Sequence, residues 1–261
     1  MKNSSSAICH LSSDEQRRYA RHIVLPEIGE AGQAKLLAAK VLVIGAGGLG
    51  SSSIAYLAAA GIGKIGIIEP DRVELSNLQR QIIFETADIG RTKAAAARDR
   101  VHEVNPDCSV EIFEEKLTTD NANKFVKNFD IVVDGCDNFE TRFAVSAACL
   151  QEKKPLISAA ISGFFAQLST FKPYLGSQHP CYRCFVPQMP ERERNCAQEG
   201  IIGPLAGILG SMQALEVIKE LLEIGESLSG KLLIIDALTM NIRKVSLLKD
   251  AACVCGSFAV E

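Results

Sequence analysis

The chain has 261 residues, of which 47% are hydrophobic, and this length is enough to bury the core of one large α/β domain. Its formal net charge of −3 shows no basic excess, which argues against a nucleic-acid partner and an anionic membrane surface. The first residues lack the long apolar stretch of a secretory signal, and the apolar segment 200–218 is interrupted by Pro204 and Glu216. We therefore expect a cytoplasmic protein without a membrane span.

Residues 1–11 are predicted to be disordered, and a helix is predicted directly after them. Ser13 stands three residues ahead of Gln16, which is the spacing of a capping box at a helix start. This helical region carries Arg21 and lies before the first predicted strand.

Short β-branched runs alternate with helical segments through the first 150 residues. The runs are bounded by glycine or charged residues, as buried parallel strands are, and lie at 41–44, 65–68 and 131–133. Helices are predicted at 49–60, 93–104, 118–127 and 140–150. This alternation predicts βαβ units and a parallel sheet.

The pattern changes after Pro155. Residues 156–171 favour strands without long helices between them, and a loop, an apolar helix at about 204–223 and two final strands follow. We therefore predict an α/β fold in which a Rossmann-like, mostly parallel sheet continues into a mixed or antiparallel one.

A glycine-rich turn follows the first predicted strand. Gly45, Gly47 and Gly50 form G-x-G-x-x-G between a strand and a helix, where such glycines allow a tight turn, close approach of phosphate and close helix packing. The free N–H groups at the helix N-terminus attract an anion. Glu69 ends the second strand, at the place where an acid accepts ribose hydroxyls. By themselves these residues favour an NAD-dependent oxidoreductase, and a turn without a ligand is the structural alternative.

Charged side chains around this turn favour a triphosphate. Arg80 follows the second strand, Lys93 opens the next helix, and Asp137 and Asn138 follow the third predicted strand. A dehydrogenase needs no such cations beside the ribose acid unless it binds a 2′-phosphate. The pattern therefore indicates ATP more strongly than NAD.

Five runs of sequence together resemble the ThiF/MoeB family of ubiquitin-activating-type enzymes. They are GAGGLG at 45–50, SNLQRQ at 76–81, DGCDN at 134–138, CYRC at 181–184 and NCAQEGIIGPLAGILGSMQALE at 195–216. The resemblance covers residues 12–256 and implies ATP-dependent adenylation of the C-terminal glycine carboxylate of a small ubiquitin-like β-grasp sulfur carrier. Two alternatives stay open, which are the NAD-dependent oxidoreductase and a scaffold that binds the carrier without turnover.

The resemblance also implies a domain division and a set of nucleotide contacts. One adenylation domain is expected at 12–261, with its Rossmann-like half at about 40–160 and a carrier-binding, mixed-sheet half at about 160–256. The implied nucleotide-binding residues are Gly45, Gly47, Gly48, Gly50, Glu69, Ser76, Asn77, Leu78, Gln79, Arg80, Lys93, Asp137 and Asn138. Asp137 is assigned to Mg²⁺ or to the reacting centre. Glu69 replaces the aspartate usual in the family, and we expect the longer acid to reach a ribose as well.

The implied chemistry depends on fixed charges. A terminal carboxylate is already ionised at neutral pH, so it needs no general base, and cations with Mg²⁺ stabilise the charge that develops on the phosphates. Arg21 matches an arginine that enters the active site of the partner subunit, which implies a homodimer; an exposed helix charge is the alternative reading. The catalytic set is therefore Arg21, Arg80, Lys93 and Asp137, with Cys196 as a candidate for covalent chemistry.

Two close cysteine pairs predict a structural zinc site that joins a loop to the tail. Cys181 and Cys184 form C-x-x-C, whereas Cys253 and Cys255 form C-x-C, with Ala252 where the family has its third cysteine. Three outcomes stay open, which are four ligands with an adapted backbone at Cys253, three thiolates, or loss of zinc.

Cys196 lies in a charged loop between the first cysteine pair and the apolar helix. Arg192 and Arg194 favour its thiolate, and the matching cysteine of some relatives forms a thioester or persulfide with the carrier. An incidental loop cysteine is the alternative.

The predicted partners are the carrier, a second copy of the chain and a separate sulfur donor such as a cysteine desulfurase or a rhodanese. Phe164, Phe165, Phe171 and Tyr174 are candidates for the carrier dock, with core burial as the alternative, and the 203–223 helix is a candidate for the dimer interface. The pathway, molybdopterin, thiamine or another, stays open at this point.

Overall fold

The computed structural model describes residues 10–189, 200–253 and 255. Its strands are β1 Lys40–Ile44, β2 Lys64–Ile68, β3 Ser109–Phe113, β4 Ile131–Asp134, β5 Leu156–Ser162, β6 Phe165–Phe171, β7 Lys231–Asp236 and β8 Asn241–Ser246. They form one sheet in the order β3-β2-β1-β4-β5-β6-β7-β8. The strands from β3 to β5 in this order pair in parallel, and those from β5 to β8 pair antiparallel, so the predicted mixed α/β sheet is confirmed.

Helices cover both faces of the parallel half. They are α1 Ser13–Arg18, α2 Ala20–Ile23, α3 Gly29–Ala38, α4 Gly48–Ala59, α5 Lys93–Val104, α6 Ala122–Val126, α7 Phe139–Gln151, α8 Tyr182–Phe185 and α9 Gly203–Leu222. The predicted helices that became α4, α5, α7 and α9 begin and end within two residues of their expected bounds. Among the described residues, none of these helices is long and apolar enough to cross a lipid bilayer.

The two faces of β1 enter different layers of the core because successive strand residues point to opposite sides. Val41 and Val43 belong to a cluster with apolar side chains of α4 and α9. Leu42 and Ile44 belong to a second cluster with side chains of α6 and α7. The strand is therefore buried on both sides, which explains its continuous apolar sequence.

Three local predictions were wrong. The capping box lies one residue earlier than expected, because the Ser12 hydroxyl accepts the Glu15 N–H at 3.2 Å and the Glu15 carboxylate accepts the Ser12 N–H at 2.6 Å. The helix predicted at 118–127 shortens to α6, because the Asn121 side chain accepts the Thr118 N–H and forms a turn before it. Strand β3 was missed, since this half-polar edge strand lacks a buried apolar run.

Two expectations about the organisation of the chain stay predictions. Residues 1–9 are among those not described, so the disordered start stays a prediction. The division of the domain into two halves is also a prediction, although the change of pairing at β5 coincides with the expected boundary near residue 160.

Candidate functional site

A cavity of about 820 Å³ lies at the carboxyl ends of β1, β2 and β4 and continues over β5, β6 and β7. Strand β2 pairs with one side of β1, and β4 pairs with the other side. The strand order therefore reverses at β1, and the cavity lies at the carboxyl end of this point. Ligands of open α/β sheets bind in the crevice at such a point. The cavity therefore has a parallel-sheet end and an antiparallel-sheet end.

The glycine turn forms the wall of the parallel-sheet end. Gly45, Gly47 and Gly48 line the cavity, and Gly45 has a φ of 87°, a conformation that L side chains rarely adopt. Gly47 caps α4 without a side-chain hydrogen bond, which leaves the N-terminal N–H groups of α4 facing the cavity. Gly50 lies behind the turn, where an added Cβ would be 2.0 Å from the Gly45 carbonyl oxygen. The turn thus offers backbone donors, and Gly50 is a packing residue.

Glu69 connects the glycine turn to the segment after β2. It is 5% exposed, and its carboxylate accepts the N–H groups of Ala46 and Asp71, each at 2.9 Å. Burial raises the pKa of Glu69, while the charge of Lys93 and these two hydrogen bonds act in the opposite direction. Each carboxylate oxygen of Glu69 already accepts one backbone N–H, so only its remaining lone pairs are available to a ligand. The expected ribose contact remains a prediction.

Several cations line the cavity, and Lys93 and Arg80 are two of them. Lys93 is the first residue of α5 and is 6% exposed, and its Nζ lies 3.1 Å from the Asp71 carboxylate. Arg80 is half-buried and donates from Nη1 to the Ser76 carbonyl oxygen at 3.0 Å. Asp71, which the sequence reasoning left without a role, is thus the fixed counter-charge of Lys93.

The loop after β4 brings Asp137 to the same cavity. The Asp137 side chain is exposed, and no described residue donates a hydrogen bond to its carboxylate. Asn138 instead uses its side-chain oxygen to accept the Thr141 N–H at 2.9 Å, which caps α7, and it does not line the cavity. A free carboxylate beside backbone donors and cations suits a metal ion that bridges phosphate oxygens.

The other predicted nucleotide contacts divide into two groups. Asn77 lines the cavity, whereas Ser76, Leu78 and Gln79 do not. Gln79 donates instead to the Ile201 carbonyl oxygen at 3.5 Å. Of the predicted contacts at 76–80, Asn77 and Arg80 therefore face the cavity, while Ser76, Leu78 and Gln79 form the turn that carries them.

Several further residues of the cavity wall were missed, among them Gln81, Arg142 and Tyr182. Gln81 is 4% exposed, and its Oε1 has no hydrogen-bond partner among the described residues. Arg142 and Tyr182 also line the cavity, from α7 and α8. Gln81 and Tyr182 could have been found from their places in the runs at 76–81 and 181–184, whereas nothing local in the sequence marks Arg142.

One predicted catalytic residue lies away from the cavity, and another is not among the described residues. Arg21 is exposed on α2 and does not line the cavity of its own chain. Cys196 lies outside the described residues.

The antiparallel-sheet end of the cavity lies over residues of β5, β6 and β7. Phe165 of β6 is 56% exposed and pairs with Asp236 of β7, and the cavity continues past it to Gln167 and Ile234. Of the four predicted docking residues, Phe164 and Phe165 are exposed, Tyr174 is half-buried, and Phe171 is buried in the core at 2% exposure. Phe171 is therefore a core residue.

Four cysteine thiols meet away from the cavity. The Sγ atoms of Cys181 and Cys184 are 3.8 Å apart, and those of Cys181–Cys253 and Cys184–Cys255 are 3.6 and 3.5 Å apart. A zinc ion at about 2.3 Å from four tetrahedral sulfurs would set them about 3.8 Å apart, so the cluster fits zinc. All four lie within 4.8 Å of one another, and the C-x-C pair therefore supplies two thiols without a cysteine at Ala252.

A model of the ThiF family matches residues 19–256. The chain belongs to the ThiF family. Its relatives include a Thermus thermophilus protein named sulfur carrier protein adenylyltransferase, 43% identical over 250 residues, which cover 94% of this chain and 92% of that protein. A Haloferax volcanii protein named SAMP-activating enzyme E1 is 42% identical over 254 residues, covering 96% of this chain and 93% of that protein.

A solved structure supports the fold of this ThiF-family chain. E. coli MccB, crystallised with ATP, superposes with a TM-score of 0.81 at 23% identity, covering 95% of this chain and 75% of that one. At this identity the likeness concerns the fold alone. The family resemblance drawn from the five sequence runs is confirmed by the family match and by the two relatives.

Proposed function

We propose that this ThiF-family chain is an ATP-dependent adenylyltransferase that activates the C-terminal glycine carboxylate of a small ubiquitin-like sulfur carrier. The observation that carries the proposal is a cavity that joins a glycine turn and several cations, among them Arg80 and Lys93, to residues of the antiparallel sheet such as Phe165. The name of the Thermus thermophilus relative supports it, since that protein is called a sulfur carrier protein adenylyltransferase. The product is the acyl-adenylate, with pyrophosphate released.

ATP lies at the parallel-sheet end in this proposal. The N–H groups of the turn and of α4 bind phosphate oxygens, as helix N-termini do. Arg80 and Lys93 face the same space and offset the charge of the triphosphate, and Glu69 accepts a ribose hydroxyl with its remaining lone pairs. No 2′-phosphate is needed to explain these cations, so ATP is preferred over a dinucleotide.

The residues around the α-phosphate act by electrostatics. The carrier carboxylate attacks the α-phosphorus, and the bond from that phosphorus to the departing pyrophosphate breaks, so no proton has to move. Asp137 would hold Mg²⁺, which when bound supplies positive charge for the phosphate oxygens. Arg80 and Lys93 stabilise the charge that grows on those oxygens and on the pyrophosphate.

The carrier docks on the antiparallel-sheet end in the same proposal. Phe164 and Phe165 present exposed rings, and the cavity beneath Phe165 leads from Ile234 toward the glycine turn. A flexible tail of two glycines has no side chains to obstruct such a passage. The globular part of the carrier would stay outside, against Phe165 of β6 and the exposed residues of β8.

A second copy of the chain completes the site in this proposal. Tyr56 of α4 and Ile208 and Leu215 of α9 are each at least half exposed, and α4 and α9 pack side by side. Such an apolar surface is typical of a homodimer interface. Arg21 then serves the partner's cavity, because it does not line its own.

The remaining proposals concern metal, sulfur and location. The four-cysteine cluster holds a structural zinc ion that ties the loop before α8 to the tail. A separate donor, a cysteine desulfurase or a rhodanese, supplies sulfur to the adenylate in the cytoplasm, for a molybdopterin or thiamine carrier. Cys196 is retained as a candidate for a covalent link with the carrier.

The test is exchange of labelled pyrophosphate into ATP with purified chain, Mg²⁺ and a panel of ubiquitin-like carriers that end in two glycines. We expect exchange with at least one carrier and none when its terminal glycine is removed. Binding of a carrier without exchange would replace the proposal with a scaffold, and NAD binding without ATP binding would replace it with an oxidoreductase.

A further inference from the structure

One buried side chain in the cavity wall carries a polar atom that the fold leaves unpaired. Gln81 is 4% exposed, and its Oε1 has no hydrogen-bond partner among the described residues. Its backbone is fixed, because its N–H donates to the Asn77 carbonyl oxygen at 2.9 Å and its carbonyl oxygen accepts the Phe84 N–H at 3.1 Å. A buried acceptor without a donor is destabilising, so folding alone does not explain a glutamine at this position.

Gln81 lies between the two ends of the cavity. On one side it borders the glycine turn, since a Cβ added to Gly47 would be 3.8 Å from the Gln81 Nε2. On the other side the same segment reaches the loop before α9, where Gln79 donates to the Ile201 carbonyl oxygen at 3.5 Å. Ile201 lines the cavity and forms a bridge to the turn between β5 and β6. A chain that enters over the antiparallel sheet would therefore pass Gln81 just before it reaches the glycine turn.

The unpaired oxygen needs a hydrogen-bond donor, and this requirement excludes some groups of the proposed reaction. Phosphate oxygens and an ionised carboxylate are acceptors, so neither can satisfy it. A peptide N–H is a donor, and the tail of the proposed carrier has one between its last two glycines. The terminal torsion of glutamine has a broad preference, so the amide can turn Oε1 towards such a donor.

We propose that Gln81 is a positioning residue that accepts the last peptide N–H of the carrier tail and so aims the terminal carboxylate at the α-phosphorus. The inference rests on the proposed function, since it needs a carrier with a glycine tail. A terminal glycine has no side chain to restrict its backbone rotation, so it enters the site in many conformations. A hydrogen bond to its N–H selects among them without contact with the reacting atoms.

Gln81→Met is the informative variant, because methionine keeps a long unbranched side chain and lacks the amide. Removal of an unpaired buried polar group should leave the midpoint of urea unfolding at or above that of wild type. If Gln81→Met does not fold, Gln81→Leu takes its place. A large loss of stability in both variants would assign Gln81 to the fold and overturn the proposal.

The matched control is Gln151→Met. Gln151 is an exposed glutamine of α7 that does not line the cavity. This variant should bind ATP and support pyrophosphate exchange as wild type does.

The main measurement combines the variant with a modified carrier. In a semisynthetic carrier, glycolic acid replaces the terminal glycine, so an ester oxygen takes the place of the last N–H. With the wild-type chain this carrier should lower kcat/KM for pyrophosphate exchange about tenfold, as the loss of one hydrogen bond predicts. Gln81→Met should show a similar loss with the normal carrier, and the ester should then cost less than about twofold more.

Two outcomes of this comparison overturn the proposal. Losses that multiply, to about 100-fold for the variant and the ester together, would show that Gln81 and the last N–H act independently. Normal exchange by Gln81→Met with the normal carrier would show that Gln81 has no part in the reaction.

ATP binding separates the tail from the nucleotide, whose ribose hydroxyls and adenine amine are also donors. The Kd for ATP with Mg²⁺, measured by calorimetry without carrier, should stay within twofold of wild type in Gln81→Met. A Kd about tenfold weaker would assign Gln81 to the nucleotide and overturn the proposal. If wild type shows no exchange with any carrier, the proposed function fails and this inference fails with it, whereas exchange by wild type with independent losses removes only the role of Gln81.

Discussion

The parallel and antiparallel halves of the sheet are covered in different ways. All of the residues of β4, near the centre of the sheet, are buried, whereas all of the residues of β8, at its antiparallel edge, are exposed. In the parallel half, polar groups meet at the strand ends and are fixed by hydrogen bonds such as those of Glu69. In the antiparallel half, apolar side chains such as Phe165 face solvent. The first arrangement suits a small anion, and the second suits the surface of another protein.

The largest expected effect falls on the parallel half. We expect Arg80→Ala and Asp137→Ala each to lower carrier-dependent pyrophosphate exchange on the order of 100-fold to 1000-fold, because each removes one fixed charge from the reacting phosphates. The thermal midpoint should stay close to that of wild type. Arg98→Ala, on the outer side of α5 and away from the cavity lining, is the control. Near-normal exchange in a folded Arg80→Ala protein would remove Arg80 from the site.

A second prediction concerns the packing of the glycine turn. Gly50→Ala places a Cβ 2.0 Å from the Gly45 carbonyl oxygen, so we expect the free energy of unfolding to fall by about 1–3 kcal/mol. Gly207→Ala is the matched control, since a Cβ there meets nothing within 4 Å and a helical alanine gains about 0.5–1 kcal/mol over glycine. Urea unfolding measures both, and a Gly50→Ala protein as stable as wild type would contradict the close packing.

A third prediction concerns the antiparallel half. Phe165→Ser should raise the KM for the carrier about tenfold, equivalent to about 1.4 kcal/mol of lost contact, and leave the KM for ATP unchanged. Its exposure of 56% means that stability should change by less than about 0.5 kcal/mol. Ile89→Ser, at 44% exposure in the parallel half, should alter neither constant. An equal loss in both KM values for Phe165→Ser would show that the two ends of the cavity are not separate.

The smallest expected effect is a pH-dependent change in stability caused by Glu69. Burial raises its pKa in the folded state above the ordinary value of 4.5, so the folded chain binds this proton more readily than the unfolded chain. The stabilisation that Glu69 contributes is therefore fully present below 4.5 and is lost as the pH rises through the folded pKa. We expect the stability difference between wild type and Glu69→Gln to shrink from acid to neutral pH in urea unfolding. A difference that grows over this range would contradict the burial argument.

The sequence predicted the parts of the molecule that depend on local pattern. Continuous apolar runs identified β1, β2 and β4, and the spacing of Gly45, Gly47 and Gly50 identified the turn, because both patterns are set within a few neighbouring residues. The two cysteine pairs were recognised for the same reason. The fold class and the glycine-lined end of the cavity followed from these signals.

Features that depend on distant partners could not be predicted. Phe165 and Phe171 belong to the same strand, but one is exposed and the other is buried, because the layers that cover β6 end part-way along it. The edge-on packing of Tyr182 of α8 against Phe143 of α7, with ring centroids 5.5 Å apart, depends on where these two helices meet. Such pairings leave no periodic signal in the chain.

Adenylation of a carrier requires the two ends of the cavity to act together on one carboxylate. The direct measurement is the intact mass of a ubiquitin-like carrier incubated with the chain, ATP and Mg²⁺ and quenched in acid. We predict that the carrier gains the mass of one adenylyl group, which is AMP less one water, and that this gain disappears when its C-terminal glycine is removed or when Asp137→Ala replaces wild type. A full panel of carriers that shows no AMP adduct, although the chain binds ATP, would contradict the account.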